Sequence, residues 1–226
     1  EASLVGSEMC IRDRQQIQQY FVSLVLFQVI FVVTFESHAA PVNQVDYFSV
    51  LGTELLDFQD IPTSGGSVDY DSSLVLPGIS FSERFLGQSL TYSGGSDVLS
   101  GVPVAGLTLQ SGFVGQNIRV AQEGSNKGVD GQGIDSLGGE GAIAILFDQA
   151  QSDFGLVVLG GHGGTATFDF WANDGSLIDS ISISDLALVN YIGFSRELGE
   201  EDISGISIWN TDPGGIGYDD MSFTVS

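Results

Sequence analysis

Residues 142–223 alternate apolar and polar side chains in short runs, and glycine, asparagine, aspartate and proline separate those runs. A period of two puts successive side chains on opposite faces of a strand, so each run buries one face and no helix satisfies the pattern. The runs are residues 142–147, 154–159, 165–171, 177–183, 191–194, 203–209 and 218–225. Between them lie Gly160-Gly161-His162-Gly163-Gly164, Asn173-Asp174-Gly175 and Asp212-Pro213-Gly214-Gly215. Asn173-Asp174-Gly175 between two alternating runs is a hairpin signal.

Upstream, residues 42–49 form a lead-in without a strong pattern, and residues 54–58, 78–82, 89–92, 107–109 and 117–121 read as further short strands. Residues 123–141, EGSNKGVDGQGIDSLGGEG, read by composition as a long exposed loop. No long amphipathic helix is expected after residue 40, and neither a linker nor an internal repeat divides the chain. About a dozen strands at this spacing predict an all-β fold, an antiparallel β-sandwich of jelly-roll type, with residues 41–226 as a single domain.

The first forty residues are of another kind. Residues 1–14, EASLVGSEMCIRDR, resemble the translated adapter sequence that recurs at the ends of metagenomic gene predictions, so they are excluded as a non-native leader. That excludes the one cysteine, Cys10, and with it thiol and disulfide chemistry. Residues 20–35, YFVSLVLFQVIFVVTF, are short for a membrane span and suit the core of a signal peptide over residues 15–40. Ser37-His38-Ala39-Ala40 then offers small residues for cleavage. The alternative is a retained N-terminal anchor. The expected product is secreted or held at the cell surface, without a stable membrane span once cleaved.

Charge narrows the partners. The chain carries 6 Lys+Arg against 29 Asp+Glu, a formal net charge of -23. Removing Arg12, Arg14, Glu1, Glu8, Asp13 and Glu36 leaves 4 basic and 25 acidic residues, so the acidity belongs to the folded domain. Such a surface repels phosphate backbones and excludes nucleic acid as a partner. It attracts cations, among which Ca²⁺ suits carboxylate and carbonyl oxygens. Acidity also serves solubility alone.

The segments Ile143-Ala144-Ile145-Leu146-Phe147, Phe154-Gly155-Leu156 and Ala166-Thr167-Phe168-Asp169-Phe170 carry a family resemblance. It continues through Tyr191-Ile192-Gly193-Phe194-Ser195, Ile203-Ser204-Gly205-Ile206-Ser207-Ile208 and Gly217-Tyr218-Asp219-Asp220-Met221-Ser222-Phe223. With Leu56-Asp57-Phe58 and Gly78-Ile79-Ser80-Phe81 as its opening, the chain resembles the exported jelly-roll domain of bacterial proteins with PEP-CTERM-type sorting tails. The resemblance implies a fold and an export route, and names no ligand. The sequence departs from the pattern after Phe223, where Thr224-Val225-Ser226 stand in place of a Pro-Glu-Pro tail. The expectation is either a truncated end or a released protein.

Catalytic signals are thin. One histidine, His162, follows residue 40, and neither His-Glu-x-x-His nor Gly-x-Ser-x-Gly occurs. A Ser-His-Asp triad would need His162 as its base, whereas a histidine between glycines reads as a turn residue. Paired carboxylates for glycoside cleavage are too numerous to single out. No catalytic residue and no enzymatic activity are therefore expected, and a hydrolase or lyase is the rival reading.

Two binding readings remain. Asp57 and Asp60 sit beside the first strand, Asp219 and Asp220 in the last. If those strands are neighbours, as in jelly rolls, the four aspartates are the candidate Ca²⁺ ligands. The competing reading of Asp219 and Asp220 is a turn cap and a solvated charge. Gly131-Gln132-Gly133-Ile134-Asp135-Ser136-Leu137 echoes one copy of a Ca²⁺-binding repeat, and one copy cannot stack. Trp171 and Trp209 are the candidate saccharide ligands. Alternation puts both on the face opposite Phe168, Phe170, Ile206 and Ile208, where an exposed indole stacks on a sugar ring. The competing reading buries them under a loop or at a sheet edge. The expected protein is a monomeric, non-catalytic binding or structural sandwich, with extracellular polysaccharide or cell-surface components as partners. A carbohydrate-binding module is the nearest alternative.

Overall fold

The computed structural model describes residues 40–50, 52–63, 66–123, 126–133 and 138–225. The leader over residues 1–14, Cys10, the apolar run at residues 20–35 and His38 lie outside the described residues, as do residues 134–137 of the repeat-like segment. Among the described residues no helix is long and apolar enough to cross a membrane.

The chain enters through Val42–Val45 (β1), a 3-10 turn at Tyr47–Ser49 and Glu54–Leu56 (β2). Next come Ser67–Tyr70 (β3), Leu74–Leu76 (β4), Ile79–Ser82 (β5), Arg84–Phe85 (β6), Ser89–Ser93 (β7), Ser96–Ser100 (β8), Leu109–Gln110 (β9) and Ile118–Glu123 (β10). Asn126–Gln132 (β11), Gly138–Gly141 (β12), Ile143–Gln151 (β13), Asp153–Leu159 (β14), Ala166–Trp171 (β15), Leu177–Ile183 (β16), Val189–Arg196 (β17), Ile203–Asn210 (β18) and Gly217–Phe223 (β19) complete it.

The first sheet has the order β1-β17-β14-β19-β11-β10-β3, with β12 beside β11 and β2 beside β19. The second has the order β16-β15-β18-β13-β5-β4. Two ribbons, β6-β9 and β7-β8, are separate. From β13 onward the chain steps between the two sheets, and only β15 and β16 are successive strands of one sheet. The resulting quartets, β17-β14-β19-β11 and β16-β15-β18-β13, have the strand order of a jelly roll. The antiparallel sandwich expected from alternation is the fold observed.

Phenylalanines bridge the two sheets. Phe194 of the first sheet lies 5.0 Å from Phe168 and 4.9 Å from Phe170 of the second, ring centre to ring centre. Phe147 of the second sheet meets Phe154 and Phe223 of the first at 5.4 and 6.1 Å. All are buried, with Ile143, Ile145, Ile206, Ile208, Leu156, Val158 and Tyr218 around them. A second, smaller core lies on the outer face of β13, β15 and β18. There Phe85 and Leu107 cover Ala144 and Trp171. Gly205 makes this possible, because a Cβ there would stand 2.5 Å from the Phe85 ring.

One expectation is corrected. Residues 123–141 are not an exposed loop: they supply β11 and β12, and residues 128–133 are buried. The glycines that suggest a turn serve close backbone approach instead. A Cβ on Gly128 would meet the Tyr218 carbonyl at 2.8 Å, and one on Gly131 would meet Gly141 backbone at 2.4 Å. The lead-in likewise holds β1 and the 3-10 turn.

At one end of the sandwich a buried carboxylate joins two connections. Asp212 Oδ2 accepts the backbone N–H groups of His162 (2.7 Å) and Gly164 (2.9 Å), and Oδ1 accepts that of Gly214 (3.0 Å). Gly164 must be glycine, since a Cβ there would fall 2.3 Å from the Asp212 Cα. Asp212→Ala removes three part-buried, charge-assisted hydrogen bonds to a buried carboxylate, each worth about 1 kcal/mol. The expected loss is about 3 kcal/mol, read as a lower urea midpoint at unchanged slope.

Candidate functional site

The chemistry gathers where the chain begins and ends. β2 pairs with β19 in the register Met221↔Leu56, Ser222↔Leu55 and Phe223↔Glu54, so the first and last strands of the sequence reading are neighbours. Asp57 follows directly on β2, on the strand that flanks Asp220. On its other edge β19 is bulged against β14: Gly155 faces Ser222 and Val157 faces Asp219, leaving Asp220 and Met221 opposite Leu156 alone. Asp220 takes a φ of 45° there. The extra residue lets Tyr218, Met221 and Phe223 all point into the core, which strict alternation forbids.

The bulge also sets the carboxylates. Asp219 Oδ1 accepts the N–H of Asp220 at 2.8 Å, so the capping role is real for Asp219. Burial pushes the Asp219 carboxyl up to about 6; that hydrogen bond opposes the shift, and the charges of Asp220 and Asp57 reinforce it. Asp220 is raised by burial and by Asp57. Asp57, Asp219 and Asp220 thus share one field. Asp60 is not part of it: it lines a groove with Asp57. Asp57 caps its own turn, accepting the Gln59 N–H at 3.1 Å. Among the described residues no three acidic, histidine or cysteine side chains converge on a point where one ion could be shared. Of the four expected Ca²⁺ ligands, Asp57, Asp219 and Asp220 meet at the β2–β19 seam, where Asp219 Oδ1 is engaged by the Asp220 N–H, and Asp60 lies on the turn that follows β2.

Beside Asp219 and Asp220 lies an aromatic surface that composition did not reveal. Tyr47 and Phe48 of the 3-10 turn sit on the outer face of the first sheet. Asp46 caps the turn by accepting the Phe48 N–H at 3.0 Å. Tyr47 Oη donates to the Asp220 carbonyl at 2.8 Å, which ties the turn to the bulge. Gly155 and Gly193 give it room: a Cβ on Gly155 would meet the Tyr47 ring at 3.0 Å, and one on Gly193 the Asp46 carbonyl at 2.9 Å. Phe48 stacks on Tyr191 at 5.4 Å with 29° between planes, and Tyr47 stands on edge to both. Phe48 is 75% exposed and Tyr191 55%. Burial, then the charges of Asp220 and Asp219, hold the Tyr47 hydroxyl above its ordinary range.

The groove lies on the other side of β2. It encloses about 690 Å³ between β2, the β4–β5 turn, residues 148–149 of β13 and residues 223–225. Leu56, Phe58, Ile61, Leu76, Phe223 and Val225 give it an apolar floor. Glu54, Asp57, Asp60 and Asp148 rim it, and among the described residues no lysine, arginine or histidine lines it. Its wall is fixed. Lys127 Nζ donates to the carbonyls of Gln59 (2.9 Å) and Ile61 (2.7 Å), and buried Phe58, at φ 54°, packs on Phe81.

Of the two candidate tryptophans, Trp171 is placed otherwise than a sugar platform needs. Both are on the outer face of β15 and β18, as alternation requires. Trp171 is 3% exposed, and its indole N–H donates to Ser207 Oγ at 2.8 Å under Phe85 and Leu107. Trp209 is half-buried beside Thr167. The covering segment 84–110 is what sequence alternation could not place.

His162 is a turn residue. It lines a cavity of about 190 Å³ with Arg119 and Asp130, which pair with each other at 2.9 Å. Its Nδ1 lies 3.8 Å from Asp212 Oδ1, a carboxylate already holding three backbone N–H groups. A third cavity, about 380 Å³, contains buried Glu83 and Asp97 with Arg84. Glu83 contacts the Arg84 guanidinium and Asp97 acts on it electrostatically, which offsets the burial of the two charges.

No protein-family model matches the sequence, and no curated protein matches it. Among solved structures the arabinose-bound MgGH51 α-L-arabinofuranosidase is similar to 47% of this chain, at 11% identity and a TM-score of 0.25. The match spans 21% of the length of that enzyme. A likeness of that size carries no argument about fold or activity.

The raised Asp219 carboxyl has a pH consequence. Between the ordinary value of 3.8 and about 6 the folded state binds a proton that the unfolded state has lost. Stability from this group is therefore full below about pH 4 and falls as pH rises to about 6. Asp219→Asn keeps the capping acceptor and removes the charge. It is expected to add roughly 1 kcal/mol at pH 7, solvent screening having reduced the full linkage value, and to flatten the melting temperature between pH 4 and 6. The same variant reads calcium. An ion held at the seam would make the substitution destabilising in Ca²⁺ and stabilising in chelator.

Proposed function

We propose that residues 41–226 are a non-catalytic binding domain that works outside the cell and takes a neutral saccharide on the Phe48–Tyr191 platform. The observation that carries this reading is the pair of stacked, exposed rings held on a rigid support. Sugar rings present C–H groups to aromatic faces, and a platform fixed before binding loses little side-chain entropy. Tyr47, the Asp46 cap and the paired strands β14 and β17 supply that fixity. The half-buried Asp220 stands alongside as an acceptor for hydroxyl groups. The acidic surface selects against uronic acids and sulfated chains. The apolar run at residues 20–35 followed by Ser37-His38-Ala39-Ala40 supports export.

Affinity electrophoresis against neutral and uronic polysaccharides tests the reading. A neutral polysaccharide is expected to retard the domain. Phe48→Ala and Tyr191→Ala should each weaken retardation about tenfold, the loss of one ring contact of about 1 kcal/mol or more, at unchanged melting temperature. Trp209→Ala should bind as the unaltered domain does. Retardation that survives both ring substitutions would overturn the assignment, as would indifference to every neutral polysaccharide.

A further inference from the structure

We infer that the groove between β2 and β4 is a second, separate binding site, and that its occupant is a short peptide segment alternating apolar and basic side chains. The inference does not rest on the aromatic platform. It starts from the lining: a floor of Leu56, Phe58, Ile61, Leu76, Phe223 and Val225 beneath a rim of Glu54, Asp57, Asp60 and Asp148. The floor asks for apolar groups. The rim sets four carboxylates around them with no basic side chain in the lining. Lys127, on the Gln59 and Ile61 carbonyls beside Asp60, is one cation against four carboxylates, so an uncharged apolar ligand leaves most of their mutual repulsion in place and an acidic ligand increases it. A ligand with ammonium or guanidinium groups beside its apolar groups satisfies both layers at once.

Volume and topology choose a peptide. About 690 Å³ is a pocket of small-ligand size, enough for a few side chains rather than a folded domain. One wall ends in β4, the terminal strand of the second sheet, and Val75 at its centre is 72% exposed. A terminal strand offers main-chain partners to an extended segment, and side chains of alternate residues then point into the adjoining pocket. Alternation in the ligand would send one set of side chains to the floor and the other to the rim. The site is formed before binding, since Lys127 staples the Gln59 and Ile61 carbonyls and Gly78 packs against Val225 with no space for a Cβ.

The test uses residues 41–226 and three fluorescein-labelled hexapeptides, alternating leucine–lysine, serine–lysine and leucine–glutamate, read by anisotropy at physiological salt. The leucine–lysine peptide is expected to bind at least about tenfold more tightly than either other peptide. The double variant Asp57→Asn, Asp60→Asn should weaken it about tenfold, while Glu197→Gln, Glu201→Gln, in an exposed loop outside the groove, should not. Asp148→Asn, at an exposed rim position, gives an independent check should the first double variant lose its cooperative melt. Equal binding of the serine–lysine peptide would reduce the effect to net charge and overturn the site. So would equal weakening by the two double variants, or binding that Asp148→Asn and the Asp57, Asp60 pair both leave untouched. Phe48→Ala is expected to leave peptide binding unchanged, which separates this site from the platform.

Discussion

Everything in this domain depends on the contact between two sheets through a layer of phenylalanine rings. Phe194 wedges between Phe168 and Phe170, and Phe147 between Phe154 and Phe223. Each buried ring is worth about 3–5 kcal/mol against truncation, so a handful of them exceeds the net stability of an ordinary domain. That layer dictates which face of every strand turns inward. It therefore also dictates what is left outside: Tyr191, Gly155 and Gly193 on one sheet, Trp171, Ser207 and Trp209 on the other.

The layer has one point of conflict, in the last strand. Tyr218, Met221 and Phe223 must all be buried, but a regular strand cannot send positions 218, 221 and 223 to one face. The bulge at Asp220 resolves the conflict by inserting one residue. Its by-products are local and polar. Asp219 is drawn under its own backbone and resists ionisation, while the Asp220 carbonyl is freed to receive Tyr47. A packing requirement thereby builds the support for an exposed aromatic surface. The same strand carries β2 on its far edge, so the platform and the acid-rimmed groove both hang from β19.

The sequence was legible where period two was clean. β13 to β19 fall close to the alternating runs, and the Asn173-Asp174-Gly175 hairpin closes as its composition implies, with the Gly175 N–H on the Ala172 carbonyl at 2.9 Å. It was misleading where glycine had a second use. In residues 123–141 glycine permits backbones to touch, and composition alone cannot distinguish that from a turn. The neighbourhood of Asp57 to Asp219 and Asp220 followed from the jelly roll, but the separation of Asp60 depended on a loop path. Phe48 and Tyr191 escaped notice because no local pattern marks them: they lie more than a hundred residues apart and meet only when β1 pairs with β17. One signal was available. Gly217-Tyr218-Asp219-Asp220-Met221-Ser222-Phe223 places its apolar residues three and then two apart, which already requires a bulge.

The tryptophans show how the two outer faces divide their work. An outward indole on β15 is compatible with ligand binding only if nothing crosses it. Here residues 84–110 cross it, and Ser207 accepts hydrogen bonds from both the Trp171 indole and Gln88 Nε2. Burying that face adds a second core and consumes its binding potential. The face of the first sheet takes the opposite course. Its glycines admit only one 3-10 turn, too short to cover Tyr191, so the rings there stay in water despite the apolar area exposed. Exposure of that kind is costly to solubility unless charge surrounds it, and the aspartates at positions 46 and 220 supply such charge. The acidity of the domain and its exposed aromatic surface are thus two halves of one arrangement.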